Sequence, residues 1–305
     1  MKSKEVIRTA WNLTNSTKGL LWFGIIPAFF STLIGIAYFS YQFFAFRASP
    51  FFGDKHLNFI KIESLVYDFV SNHSTLSIFL IVTAVIIGIF YFLLPPLCEG
   101  GIIGLTSAIW KKKEDVKASD GITIGVHHFL KMFEFQLAVG AFSFFEFLTI
   151  TSLTLRKLGM SSWLMFLLGF LFLISFIFSF LFIYTQNFIV LENRDITASL
   201  MGSAKSVVSN LGKTLLMWLL MLLISIRVVI NVVLVFLIPT LVAFVANFFV
   251  STVALTIGII LALLVGLIMI LLATYLAGVL HVFTTVAWTL TFLNLDHHRA
   301  EKLLG

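Results

Sequence analysis

Between Lys213 and Asp296 the only lysine, arginine, aspartate or glutamate is Arg227, set in hydrocarbon-rich sequence. Glu146 holds a comparable place after Lys131, and His281 holds one before Asp296. At a helical rise of about 1.5 Å per residue, the Lys131–Glu146 and Lys213–Arg227 separations both come to about 21–23 Å. His281 reaches a similar depth measured back from Asp296. An ionised group in hydrocarbon is costly unless it pairs inside a bundle or faces a wet cavity. The expectation is an intramembrane ion pair between Glu146 and Arg227, with His281, Asn231 or Tyr275 as hydrogen-bonding neighbours. Three roles stay open for it: a lining for an ion or substrate pathway, a pin for helix packing, or an Arg227 that snorkels outward past Pro239.

Other chemistry is sparse. His127 and His128 are adjacent and splay around a helix, while His127, Lys131 and Glu134 fall on one face. Neither that group nor Asp296-His297-His298 offers enough ligands for a metal, and no cofactor is expected. The single cysteine, Cys98, excludes an internal disulfide and any multi-cysteine cluster. No nucleophile–base pair, phosphate loop or carboxylate dyad occurs at usable spacing. Lys111, Lys112 and Lys113 read as a topology determinant with attraction to lipid headgroups, worth about 1 kcal/mol per charge near an anionic surface. The net charge of +6 comes from residues scattered among short loops, so no nucleic-acid partner is implied.

These residues depend for their placement on membrane spans. Of the 305 residues, 60% are hydrophobic and 11% charged, far from soluble averages. A span needs roughly 20 apolar residues, and six runs satisfy that: 20–46, 74–94, 132–155, 162–191, 214–238 and 251–295. Pro95-Pro96 with Gly100-Gly101, and Pro239, punctuate run ends as helix breakers. The sixth run would extend about 65 Å as one helix, so it must tilt, bend near Gly278 or lie partly along the surface. Residues 1–305 thus form a single integral membrane domain. The outer loop at 47–73 carries Asp54, His56, Glu63 and Asp68 on a segment of helical spacing. The apolar run after Lys2, Lys4 and Arg8 is too long for a cleaved signal peptide, so it reads as a retained anchor.

Basic residues set the orientation. With the N-terminus inside, only Arg47, Lys55, Lys61, Arg156 and Lys157 fall outside, and both termini are cytoplasmic. Glu5–Lys18, Gly121–Lys131 and Ala198–Lys213 are polar, amphipathic segments, each leading into a two-span hairpin. In the third, Leu200, Ala204, Val207, Val208 and Leu211 should share a face opposite Lys205 and Asn210. Whether such segments lie in the lipid interface or are plain cytoplasmic connectors is left open by the pattern. The fold class is all-α: a polytopic membrane bundle of about six transmembrane helices in three hairpins, each with a leading amphipathic helix. Gly35, Gly140, Gly169, Gly258 and Gly266 are the glycines expected to allow close helix approach, with no GxxxG pair evident.

Three features carry a family resemblance: the Glu99-Gly100-Gly101 turn after the proline-ended second run, Asn187-Phe188-Ile189-Val190-Leu191-Glu192 leading to Ala198-Ser199-Leu200, and Thr284-Thr285-Val286-Ala287-Trp288 before Leu295-Asp296. In these the chain resembles a group of prokaryotic six-span proteins that includes the membrane domain of some glycerophosphodiester phosphodiesterases. The resemblance implies a fold and a location in the cell membrane. It carries over no catalytic residue, since no segment here could encode the phosphodiesterase barrel. The leading functional expectation is a non-enzymatic membrane protein that organises lipid, envelope components or a protein partner. A transporter or permease subunit using Glu146, Arg227 and His281 is the alternative, and an intramembrane enzyme acting on lipid comes third.

Overall fold

The computed structural model describes residues 3–47, 67, 70–111, 116–140, 150–151, 154, 161–226 and 252–304. Its elements are α1 (Ser3–Ser16), α2 (Lys18–Arg47), α3 (Ser74–Trp110), α4 (Ala118–Gly140), α5 (Ser162–Leu181), α6 (Thr185–Glu192), α7 (Ile196–Ser209), α8 (Leu211–Ile226) and α9 (Thr252–Leu304). Among the described residues there is no strand. The outer segment 47–73 and the second halves of the third and fifth runs lie largely outside the described residues.

Local sequence explains most of these elements, and the structure corrects several boundaries. Val6, Ala10 and Thr14 recur every fourth residue, so α1 buries one narrow stripe, and the Thr14 hydroxyl donates to the Ala10 carbonyl at 2.9 Å. The α3 helix does not stop at Pro95-Pro96 but continues to Trp110, and Glu99-Gly100-Gly101 is helical, not a turn. Proline removes one donor and crowds the preceding turn; inside a membrane bundle neighbouring helices make this tolerable. Beyond the prolines, residues 100–107 are buried, so tertiary packing holds the helix together there. Gly121–Lys131 is not a separate helix either, since it is continuous with the remainder of α4.

The fourth run breaks at residues 182–184, and a buried serine repairs the break. Ser203 accepts a hydrogen bond from the Tyr184 N–H at 3.0 Å and donates to the Leu181 carbonyl at 2.7 Å. Asn193 then ends α6 with a left-handed φ of 51°, a conformation asparagine tolerates better than most residues. Between α7 and α8 the chain turns by 97°. The sixth run resolves as one unbroken helix of 53 residues, with no break at Gly278. At about 80 Å it is longer than a bilayer core of about 30 Å.

Glycine sets two close helix crossings. Along α3, Gly100 meets Gly125 of α4, Gly101 meets Gly121, and Gly104 meets Ile124. A methyl group on Gly101 would stand 2.9 Å from the Gly121 carbonyl oxygen, and one on Gly125 would overlap the Leu97 carbonyl. Gly100/Gly104 and Gly121/Gly125 are therefore GxxxG pairs on facing helices, contrary to the expectation of none. In the second crossing, a methyl group on Gly278 of α9 would lie 2.8 Å from Ile25 Cα of α2, and one on Gly24 would collide with the Gly278 carbonyl. By contrast, Gly35 and Gly169 face open space.

Around these crossings lies the core. Phe23, Ile102, Tyr184, Phe188, Met217 and Val286 belong to one buried cluster drawn from α2, α3, α6, α8, α9 and the turn before α6. Trp11 packs edge-on against Phe283, and Phe188 against Phe292. Elsewhere the helices expose their apolar side chains: Ile78, Phe79 and Ile81 on α3, Trp163 and Phe166 on α5, Leu263 and Leu267 on α9. Among the described residues, four helices are long and apolar enough to cross a membrane, or five if the bent α7–α8 pair counts as one.

Candidate functional site

The polar cluster that the structure assembles is centred on Glu99, with His281 the one member anticipated from sequence. Glu99 lies on α3, one residue before the glycine that lets α4 approach. His281 lies on α9, one turn beyond Gly278. Gln186 sits in the first turn of α6, just past the chain break that Ser203 secures. Each residue is therefore placed by a feature that fixes its helix closely: two glycine crossings and a bridged break.

Gln186 donates its amide N–H to Glu99 Oε2. The other carboxylate oxygen, Oε1, lies 3.9 Å from His281 Nε2, too far for a hydrogen bond. His281 Nε2 is buried and has no hydrogen-bond partner. The side chains are not sealed, for Glu99 is 19% and His281 32% exposed. Helix lengths place Glu99 about 18 Å from Lys111 along α3 and His281 about 22 Å from Asp296 along α9. Close by in sequence, Thr185 Oγ1 and Asn187 Oδ1 of α6 are also buried without a hydrogen-bond partner.

A second polar constellation joins α4 to the α6–α7 link. Lys131 Nζ donates to the Asn193 carbonyl at 3.3 Å and to the Asn193 side-chain oxygen at 3.4 Å, and it pairs with Asp195 at 3.2 Å. A cation placed over the last carbonyls of α6 complements its dipole. Beside it, Arg194 pairs with Glu192 and lies over the Phe188 ring. On α4, the His128 Nδ1 lies 3.0 Å from the Ile124 carbonyl. Burial holds this imidazole below the ordinary histidine range, opposed by that backbone hydrogen bond. Lys131 thus serves α6, and His128, not His127, is the histidine turned into the bundle.

Of the residues anticipated from sequence, Glu146, Arg227, Asn231, Lys112 and Lys113 lie outside the described residues. Tyr275 is exposed on α9 and Lys111 is exposed just after α3. Among the described residues no three His, Cys, Asp or Glu side chains converge as metal ligands. The sequence did hold a signal for Glu99: it is the only Lys, Arg, Asp or Glu between Asp68 and Lys111. Reading it as part of a turn hid that it stands inside a helix.

Fold and site together define an all-helical protein with several helices able to cross a membrane and a half-buried acid–amide–imidazole cluster drawn from α3, α6 and α9. Comparison with protein-family models, with curated proteins and with solved structures finds no match.

Proposed function

We propose that the chain is a non-enzymatic, multi-pass protein of the cell membrane, with six spans and both termini cytoplasmic. In this reading it organises lipid, or holds a protein partner in the membrane, through the outer faces of its amphipathic helices. The single observation that carries the proposal is the polarity of those faces. On α4, Ile122, Val126 and Leu130 recur every fourth residue and are exposed, whereas Gly121, Gly125 and His128 are buried. On α7, Met201 and Val208 are exposed beside Lys205, whereas Ser199, Ser203 and Val207 face inward. The single face expected for Leu200, Ala204, Val207, Val208 and Leu211 is thereby divided, with Val207 buried and Val208 and Leu211 exposed: small serines point in because close packing and the α5–α6 bridge require them, and larger apolar groups are left outside. Apolar groups turned outward with flanking cations suit the headgroup boundary. Lys111, Lys112 and Lys113 would contribute there too, and the resemblance to prokaryotic six-span membrane domains is part of the same proposal.

Spin labels at Val126, Met201 and Val208 in proteoliposomes test the reading. Labels accessible to oxygen and shielded from a water-soluble relaxation agent support it; labels open to the aqueous agent refute it. Reporter fusions at the two termini test the orientation, which fails if they report opposite sides.

A transport role has one observation in its favour, the convergence of Glu99, Gln186 and His281 from three helices. Glu146 and Arg227 are proposed to extend the same pathway. Cysteine accessibility at positions 99, 186 and 281, with Cys98 replaced, separates the two readings: labelling by an aqueous reagent favours transport, and protection favours the organising role.

A further inference from the structure

The Glu99–His281 contact is unfinished. Gln186 fixes one carboxylate oxygen, and the second is aimed at a ring nitrogen that has no hydrogen-bond partner. Both atoms gain a partner at once if a single proton lies between them and the 3.9 Å separation closes by a small side-chain rotation. Of the charged groups nearby, Lys131 pairs with Asp195 and Arg194 with Glu192. Cys98, next to Glu99 on α3, belongs to the apolar cluster.

We propose that Glu99 and His281 form a proton-binding pair within the bundle, with Gln186 as the positioning residue that orients the carboxylate. The ligand is a proton taken from water. It leaves the solvent, bonds to the imidazole nitrogen and is hydrogen-bonded by the carboxylate, so no further reactant is needed. Both side chains are partly exposed, while His281 Nε2 itself is covered. A divalent metal is the less suited occupant. Zinc wants four ligands with nitrogen and oxygen near 2.0–2.2 Å, and Glu99 and His281 supply two. The site goes beyond the organising role proposed above and does not depend on it, since a bundle that only scaffolds has no need of a titrating pair.

The test uses the full chain with nitrogen-15-labelled histidine in lipid nanodiscs. The His281 resonance is assigned by its loss in His281→Gln and followed through a pH titration. A wild-type His281 signal that titrates, and whose midpoint moves by about one pH unit or more in Glu99→Gln, supports the pair. Gln186→Leu should move it less, because that change disturbs orientation and removes no charge. An unchanged midpoint in Glu99→Gln, or a His281 that never titrates, overturns the proposal. Should Glu99→Gln fail to fold, the infrared carboxyl band of the folded wild type against His281→Gln gives the same answer: a band whose pH midpoint is unaffected by His281→Gln refutes coupling. Stoichiometric zinc binding to the wild type, abolished in both single variants, also overturns it in favour of a metal site.

Discussion

The α3 helix passes through two environments. From Leu76 to Leu93 nearly every large side chain is exposed, whereas Cys98 to Ser107 is buried apart from Glu99, which is half-buried. The first stretch is the more hydrophobic, yet it makes no core. In lipid, apolar side chains gain nothing by exchanging acyl chains for a neighbouring helix, so hydrophobicity does not drive packing there. The second stretch packs because Gly100, Gly101 and Gly104 let backbones meet and because polar groups find partners across helices. The same contrast separates the Leu263–Leu272 part of α9 from its Ala273–Leu293 part. Small and polar residues decide which part of each span is protein interior and which is exposed to its surroundings.

Glycine substitution tests that contrast most severely. Gly125→Ala or Gly24→Ala should destabilise the bundle by about 1–3 kcal/mol, because the added methyl meets backbone and not a movable side chain. Gly88→Ala and Gly169→Ala, which face open space, should instead be neutral or stabilising by up to about 1 kcal/mol. Unfolding of the four variants in mixed detergent micelles gives the sign for each; a common sign would dissolve the distinction between the two regions. By the same measurement, Ser203→Ala should cost about 1–3 kcal/mol by orphaning the Tyr184 N–H and the Leu181 carbonyl in a buried turn.

A smaller effect is expected at Lys131. Its partner Asp195 is 84% exposed, so Lys131→Met should cost no more than about 1 kcal/mol and should lose even that in high salt. Smallest is a pH effect through His128. Its folded-state value lies below the ordinary one because burial disfavours the charged ring, so between the two values the unfolded chain binds more protons. The contribution is complete above the unfolded histidine value near 6.5 and is lost as pH falls below it. Thermal unfolding compared between wild type and His128→Gln should show the wild type losing its relative stability on acidification.

The apolar runs were legible in their length and lack of charge. The route by which α3 survives Pro95-Pro96 was not legible, because local punctuation says what a helix loses and not what a neighbour returns. The candidate site was half visible. His281 stood out as a polar residue in an apolar run, but Glu99 hid behind the prolines, and Gln186 carries no charge to attract notice.

Solvent and secondary structure are written in the order of residues alone. Composition and run length make this chain helical and place it among proteins whose helices can cross a membrane, since a backbone in hydrocarbon must bond to itself. Which faces meet was settled only in three dimensions. The glycine crossings, the Ser203 bridge and the approach of His281 to Glu99 join residues far apart in the chain, and their energies exist only once the helices are brought together.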